Sequence, residues 1–408
     1  MRNPDHNFSA GLKKLIAAAL AILAVLIALR LLTSTWHGGY DARFYRAMAV
    51  GPFSSVPAAR TAPYCWRLLP AVPVYLLPLP VEKAWPLFNF AAIFLSALIL
   101  FRLLEEEGGS LTAAGLGVFF YLFSWVNVRF AFFYPCQTDS AYYLFLVLAF
   151  WSLLRRKDWL FFSALCLASL TREYFLALIP AYYLSRRERP GLFDPAALCR
   201  TALVSLLPLI LFILPRLLIS LSNPDFSYLG HGAEFLRITI VHWRRTLYSF
   251  ANVYGAALFV VILHLPDAFR YLKRRPEVAV YIPFWFLFLA VGGSDLDRIN
   301  FIGFPVVMLL AAAAVAARSR LYRNKFILAY LAAAHLILMR VFTRMGPEPD
   351  NWRRLWWSSI SFMPEEVFRS KVLLFLFLLA GFFLLAFSVS FLRRRRRNSA
   401  LPARPLVL

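Results

Sequence analysis

The feature that most constrains this chain is a series of apolar runs, most of them long enough to cross a lipid bilayer. A transmembrane helix needs about 20 mostly apolar residues. This length predicts spans near residues 15–36, 84–104, 111–133, 139–154, 198–222, 246–268, 278–292, 300–317, 324–343 and 372–392. Because 61% of the 408 residues are also hydrophobic, we predict an all-α, polytopic transmembrane helical bundle.

Another apolar stretch, residues 159–184, carries Thr171, Arg172 and Glu173 in its middle. If this stretch were a single span, the basic clusters that follow residue 184 would lie on the opposite side of the membrane from the basic cluster at residue 155. Two short helices that meet near Arg172 put all of them on one side, as the positive-inside rule requires. These clusters begin at residues 155, 185, 270, 318 and 393. We therefore predict two helices here, and roughly 11–13 membrane helices in the whole chain.

Each of these two helices is too short to cross a hydrocarbon core of about 30 Å, so the charged turn between them lies at membrane depth. Charges at this depth must face protein or a water-filled cavity. The pattern thus predicts a cavity that opens to the outer face. The long polar segments 37–83, 223–245 and 343–371 lie on that face, and the prolines of "CWRLLPAVPVYLLPLP" in the first favour helices lying in the membrane interface.

The whole chain, residues 1–408, is predicted to form one transmembrane domain, because it shows no repeat and no separate soluble segment. The apolar run at 15–36 is too long for a signal-peptide core and is interpreted as a retained first span. The formal net charge is +23, but the basic residues lie in clusters between apolar runs. This arrangement indicates membrane topology rather than nucleic-acid binding, with the amino terminus and a basic tail at 393–408 in the cytoplasm.

Several common chemistries are not indicated by the sequence. It contains no phosphate-binding loop, no H-E-x-x-H, no G-x-S-x-G and no dinucleotide-binding glycine motif. The four cysteines show no zinc-ligand spacing, although Cys65 and Cys136 fall on the same predicted side and leave a disulfide between them open. ATP-driven transport, zinc proteolysis and serine hydrolysis are therefore not predicted, and nothing in the sequence requires a cofactor.

Asp41 is the first candidate for chemistry, in the stretch "HGGYDARFYRAMA" that follows the first apolar run. One interpretation is structural, since a carboxylate at a helix start caps free amide groups and complements the helix dipole. The other is a general base at the edge of an apolar site, able to accept a proton from an attacking hydroxyl. The default for charges beside a membrane segment is function.

Other carboxylates of the outer face have stronger structural interpretations. Asp139 follows Thr138 at the start of a span, which is typical of helix capping. Asp295 and Asp297 form a D-x-D pattern that leaves a divalent metal open, but we interpret them mainly as helix caps and partners of Arg298. His231 lies in an external loop, where we expect it to be solvated.

Three arginines and Glu173 complete the set. Arg172 lies within an apolar stretch and needs either an ion-pair partner or an anionic ligand. Guanidinium groups suit phosphate oxygens, and Arg67, Arg172 and Arg298 are all predicted to face one cavity. Aromatic residues near it are expected either to line a sugar or prenyl groove or to form an interfacial belt: Trp36, Tyr40, Phe44, Tyr45, Tyr64, Trp66, Tyr142 and Tyr143.

Taken in order, "YDARFYRAMA", "APYCWRLLPAVPVYLLP", "LTREYFLALIP" and "GGSDLDRINFIGFP" resemble bacterial members of the GT-C superfamily of membrane glycosyltransferases. The resemblance covers most of residues 15–310. It implies an enzyme of the bacterial inner membrane that transfers a hexose or pentose, with inversion, from a polyprenyl-phosphate donor to a glycan, lipid or protein acceptor of the cell envelope. The active site would lie on the outer face.

The resemblance also assigns roles to residues. It implies that Asp41 is the base and that Arg67, Arg172 and Arg298 neutralise the lipid phosphate. Tyr40 stands where many members carry a second acidic residue, so only Asp139, Glu173, Asp295 or Asp297 could take such an auxiliary role, and metal dependence stays open. The alternatives are a flippase or transporter of lipid-linked sugars, for which we find no related halves, and an envelope polysaccharide polymerase or ligase.

Overall fold

The structure is a computed structural model that describes residues 4–35, 40–51, 55–188, 193–293, 295–341 and 363–399. Within these ranges the chain forms helices and turns, with no β-strand. The prediction of an all-α bundle is confirmed. Trp36, most of the predicted external segment 343–371 and the end of the basic tail lie outside the described residues.

The described helices are named in the order in which they occur along the chain. In chain order they are α1 (Pro4–Leu31), α2 (Tyr40–Val50), α3 (Leu68–Leu76), α4 (Val81–Gly108), α5 (Leu111–Leu122), α6 (Phe130–Phe133), α7 (Asp139–Leu154), α8 (Asp158–Ser169), α9 (Leu178–Arg186), α10 (Pro195–Leu218), α11 (Tyr228–Val241), α12 (Trp243–Tyr254), α13 (Ala256–Leu263), α14 (Leu265–Arg274), α15 (Pro276–Val291), α16 (Leu296–Asn300), α17 (Phe304–Ala317), α18 (Ser319–Tyr322), α19 (Lys325–Leu338) and α20 (Glu365–Ser399).

Five helical segments of the described chain are long and apolar enough to cross a membrane. They are Lys13–Leu31, Val81–Gly108, Pro195–Leu218, Leu296–Ala317 and Glu365–Arg393, and counting two bent helix pairs as spans raises the number to seven. The apolar helices α7, α8, α15 and α19 are shorter than this criterion requires. The chain is thus a helical bundle with several membrane-crossing candidates, fewer than the 11–13 expected from the sequence, because many apolar runs fold into short helices.

The ambiguous stretch 159–184 folds as two helices, as predicted. Helix α8 ends at Ser169, a 3₁₀ turn covers Glu173–Ala177, and α9 begins at Leu178. The two helices run back along each other, because Arg186 at the end of α9 donates a 2.8 Å hydrogen bond to Asp158 at the start of α8. The rings of Phe161 and Tyr182 also stack between them, with centroids 4.7 Å apart. The turn at Arg172 is therefore the tip of a hairpin, which we call the α8–α9 hairpin.

The basic clusters gather at one end of the bundle, which we call the basic end. Three acidic residues at the end of α4 form ion pairs there: Glu105 with Lys14, Glu106 with Arg155 and Glu107 with Arg275, at 3.7, 2.6 and 2.6 Å. Arg318 pairs with Asp267 of α14 at 2.9 Å, and Arg393 donates to the carbonyl oxygen of Arg320. Together with the Arg186–Asp158 pair, these contacts place all five clusters at this end, as the positive-inside argument required.

One predicted span, 246–268, is wrong as a single straight helix. Its residues belong to α12 and α13, which meet at an angle of 103°, and from residue 265 onward to α14. Gly255 at the junction has φ +48°. A Cβ at this position would lie 2.7 Å from Cε of Met339 and 2.9 Å from Nδ1 of His335, so only glycine fits both the backbone and the packing.

The first polar segment forms short helices, as its prolines predicted. Helices α2 and α3 are joined by two 3₁₀ turns, Pro57–Arg60 and Tyr64–Trp66. The backbone N–H of Leu69 in α3 donates to the carbonyl oxygen of Leu170 at 3.2 Å, so this segment is tied to the tip of the α8–α9 hairpin. This contact brings residues from two distant parts of the sequence to one site.

Cysteine labelling checks this topology. We expect Lys157→Cys and Glu188→Cys to be labelled from the same side of the membrane, because they lie at the two open ends of the α8–α9 hairpin. Asp225→Cys, at the opposite end of the bundle, should be labelled only from the other side. The partly exposed Cys166 and the exposed Cys199 would first be replaced by serine. Labelling of positions 157 and 188 from opposite sides would contradict the hairpin.

Candidate functional site

A cavity of about 720 Å³ lies at the end of the bundle opposite the basic end. It is lined by the start of α2, the turn before α3, the tip of the α8–α9 hairpin, and the segments before α11 and α16. We call it the charged cavity. Its lining contains most of the residues predicted from sequence, namely Asp41, Arg67, Asp139, Arg172, Glu173, His231, Asp295 and Arg298.

Asp41 lies in the first turn of α2, with 23% of its side chain exposed. The hydroxyl of Tyr64 donates a 3.0 Å hydrogen bond to its Oδ1, and Nη1 of Arg298 lies 3.5 Å from its Oδ2. The backbone N–H of the next residue, Ala42, donates a 2.8 Å hydrogen bond to the hydroxyl oxygen of Tyr134 rather than to Asp41. Both carboxylate oxygens therefore have partners across the cavity, and helix capping does not account for this side chain.

Arg298 is surrounded by three carboxylates. Its Nη2 lies 2.7 Å from Oδ2 of Asp139, and its Nη1 lies 3.3 Å from Asp295 and 3.5 Å from Asp41. The hydroxyl of Tyr143 donates to its backbone carbonyl oxygen at 3.1 Å. The expected pairing of Arg298 with Asp295 is present, but its shortest contact is with α7.

Asp139 bridges two of the predicted arginines. Its Oδ1 lies 2.7 Å from Nη2 of Arg172, and its Oδ2 lies 2.7 Å from Nη2 of Arg298. Thr138, the residue before α7, forms no capping hydrogen bond through its side chain. The capping interpretation of this segment is therefore wrong, because the arginines, rather than the helix amides, hold the Asp139 carboxylate.

Arg67 joins the first polar segment to the hairpin tip. Its Nη2 lies 3.1 Å from Oε1 of Glu173, and its Nη1 donates a 3.0 Å hydrogen bond to the hydroxyl of Tyr45. Tyr45 is fully buried, so it acts behind the cavity wall rather than on a ligand. The three arginines do converge, as predicted, but each is already paired with a carboxylate.

Carboxyl groups outnumber arginines in the lining of the cavity. The lining contains three arginines, and it also contains the five carboxyl groups of Asp41, Asp139, Glu173, Asp225 and Asp295. Burial raises the pKa of Asp295, and the charges of Asp139 and Asp41 raise it further, against the opposing effect of Arg298. Burial and the Asp41 charge likewise raise the pKa of Tyr64, so its hydroxyl remains a hydrogen-bond donor to Asp41.

The D-x-D pattern does not act as a unit. Asp295 lines the cavity, whereas the side chain of Asp297 is fully buried and lies outside the lining. In the part of the chain that the structure describes, no group of three or more His, Cys, Asp or Glu residues is arranged to hold a metal ion. The guanidinium of Arg298 stands between Asp41, Asp139 and Asp295, so these carboxylates do not form a ready set of metal ligands.

The structure decides two alternatives that the sequence left open. Cys65 and Cys136 are buried free thiols, so no disulfide joins them, and burial raises the pKa of Cys65 to about 11. Of the aromatic candidates whose side chains the structure describes, only Tyr64 lines the cavity, because the others are covered by the bundle. His231 is exposed at the rim, where Nδ1 lies 2.9 Å from the carbonyl oxygen of Ser227.

Sequence reasoning missed several residues that shape the site. Tyr134 holds the start of α2 from a segment 92 positions away. Asn223 fixes the cavity wall by exchanging two hydrogen bonds, of 2.8 and 3.0 Å, with the backbone of Ala62. Both contacts join distant parts of the chain, and neither residue belongs to a recognisable motif. No local sequence signal therefore indicates them.

Comparison with known proteins adds no relative. No family model matches the chain, and no curated protein matches it. The site must therefore be interpreted from its own geometry.

Proposed function

We propose that this protein is a membrane glycosyltransferase that moves a sugar from a polyprenyl-phosphate donor to an envelope glycan, lipid or protein acceptor. The observation that carries the proposal is the position of Asp41. Its partly exposed carboxylate faces the charged cavity together with Arg67, Arg172 and Arg298. The cavity lies at the end opposite the basic clusters, which under the positive-inside rule is the outer face of a bacterial inner membrane.

The chemistry requires both kinds of charge that the cavity holds. The acceptor hydroxyl gives its proton to the Asp41 carboxylate as its oxygen attacks the anomeric carbon of the sugar. The bond from that carbon to the phosphate oxygen breaks, and the phosphate leaves with the electron pair. Positive charge develops on the sugar and negative charge on the phosphate, and attack from the opposite face inverts the configuration.

The arginines would stabilise the departing phosphate. Preorganised donors in a poorly hydrated site stabilise developing charge more strongly than water does. Because each arginine is paired with a carboxylate, donor binding must exchange some of these contacts for phosphate oxygens. Arg67 and Arg172 are favoured over Arg298 for this exchange. Among the described residues each of them makes one ion pair, with Glu173 and Asp139 respectively, whereas Arg298 is held by three carboxylates.

The test is an assay of purified protein in liposomes with a panel of polyprenyl-phosphate sugars and envelope acceptors. We expect release of polyprenyl phosphate together with a glycosylated acceptor. Movement of a donor between leaflets with its glycosyl phosphate bond intact would favour the flippase alternative. Transfer to a growing glycan would assign the polymerase or ligase alternative, which uses the same chemistry.

A substitution of Tyr64 tests whether its hydroxyl positions the Asp41 carboxylate. We expect Tyr64→Phe to lower the transfer rate by about tenfold, because it removes the 3.0 Å hydrogen bond to Asp41 without changing the ring that stacks on Phe44. The rate constant at saturating donor should fall while KM for the donor stays unchanged. A rise in KM alone would mean that Tyr64 contacts the donor and does not position Asp41.

A further inference from the structure

A second cavity, of about 480 Å³, lies at the basic end. Its walls come from the start of the first span, the connection between α4 and α5, and the segment from the end of α17 to Arg323. We call it the basic-end cavity. It is remote from Asp41 and has no role in the proposed transfer reaction.

The charged groups of the basic-end cavity are basic. Lys14 lines it from α1 and Arg323 from the turn after α18, and no acidic residue that the structure describes belongs to its lining. Lys14 is paired with Glu105, whose Oε1 lies 3.7 Å from its Nζ. The contact is long and the Lys14 side chain is half exposed, and pairs of this kind contribute little, so Lys14 can exchange Glu105 for another anion.

The start of α5 adds backbone donors to the same cavity. Gly109, with φ +59°, directly follows α4. The side-chain oxygen of Ser110 then accepts a hydrogen bond from the backbone N–H of Ala113. The N–H groups of the first helical turn have no partners within the helix, and two residues of that turn, Leu111 and Thr112, belong to the cavity lining. Such a helix start attracts phosphate and other anions.

Tyr322 closes the wall of the cavity without offering a donor to it. The residue belongs to the lining but is fully buried, and its hydroxyl has no accessible surface. The polar groups that face the cavity therefore include Lys14, Arg323 and the start of α5.

We propose that the basic-end cavity binds the phosphate-bearing headgroup of an anionic membrane lipid. Lys14 and Arg323 would pair with the phosphate, and the start of α5 would donate to its oxygens. The cavity is larger than a bare phosphate ion, and it lies at the end where basic residues meet the membrane surface. A lipid headgroup fits both features, and juxtamembrane basic residues attract anionic lipids.

Lipid binding to the purified full-length protein tests the proposal, by native mass spectrometry and by the shift of Tm in detergent. The probes are phosphatidylglycerol, zwitterionic phosphatidylcholine and inorganic phosphate. We expect phosphatidylglycerol to bind and raise Tm, and the Lys14→Gln/Arg323→Gln variant to bind it about tenfold more weakly. The matched control is Lys13→Gln/Arg320→Gln, which removes the same charge from exposed positions of the same end.

The control should bind phosphatidylglycerol as the unmodified protein does. Equal weakening in both variants would mean diffuse attraction to the basic end and would overturn the site. Unchanged binding in the Lys14→Gln/Arg323→Gln variant would overturn it as well. Inorganic phosphate that raises Tm as much as the lipid, in a manner that depends on Lys14 and Arg323, would identify a soluble phosphate ligand and overturn the lipid assignment.

Discussion

We expect the Asp41→Asn variant to lose sugar transfer by a factor of at least about 100, because the amide keeps the shape of the side chain but cannot accept the proton of the acceptor. Its oxygen can still accept the hydrogen bond from Tyr64, and Arg298 keeps Asp139 and Asp295 as partners. The variant should therefore insert into the membrane and keep its Tm. The measurement is the transfer rate in liposomes at saturating donor.

The matched control is Asp225→Asn. Asp225 lines the same cavity, so the substitution makes the same change of charge there without touching Asp41. We expect it to retain most of the activity. Transfer at a near-normal rate in Asp41→Asn, or an equal loss in both variants, would contradict the role of Asp41 as the base.

The second large effect concerns stability. We expect Asp139→Asn to lower the free energy of unfolding by about 3–5 kcal/mol, because it removes the ion-pair partner of the buried Arg172 guanidinium and one of the three partners of Arg298. Arg172 and Arg298 have 7% and 11% of their side chains exposed, and Asp139 contacts both at 2.7 Å. Arg298 retains two other carboxylates, so most of the loss arises at Arg172. Unfolding in mixed micelles measures the effect.

Glu82→Gln provides the comparison. Glu82 forms an ion pair with Arg46, but both side chains are more than 40% exposed, and pairs of this kind contribute about 0–1 kcal/mol. The double variant Asp139→Asn/Arg172→Gln should recover part of the stability that Asp139→Asn loses, since it removes the unpaired charge as well. Equal losses for Glu82→Gln and Asp139→Asn would show that the bridge has no special contribution.

The α8–α9 hairpin shows what sequence can predict in a membrane protein. Arg172 and Glu173 interrupt an apolar run, and charged side chains at membrane depth must face protein or a water-filled cavity. Combined with the distribution of basic residues, this was enough to place a turn near Arg172 and to send it toward a cavity. The same argument placed Arg67, Arg298 and Asp41 at that end.

The sequence could not predict which of these charged side chains form ion pairs with each other. Asp139 appeared to be a helix cap because Thr138 precedes an apolar helix, and the structure places it between two arginines that follow it by 33 and 159 positions. Local spacing contains no information on such contacts. The break at Gly255 was missed for a related reason, since Met339 and His335, which exclude a side chain there, are far away in the chain.

The sequence by itself determined that this chain is an all-α bundle with several helices apolar enough to cross a membrane, with its basic clusters at one end and a set of charges at the other. Hydropathy and charge decide this, because the transfer of each residue into the bilayer depends on that residue and its neighbours. Only the tertiary structure decided which carboxylate faces which arginine and which glycine breaks a helix. Those outcomes depend on distances between residues that folding brings together.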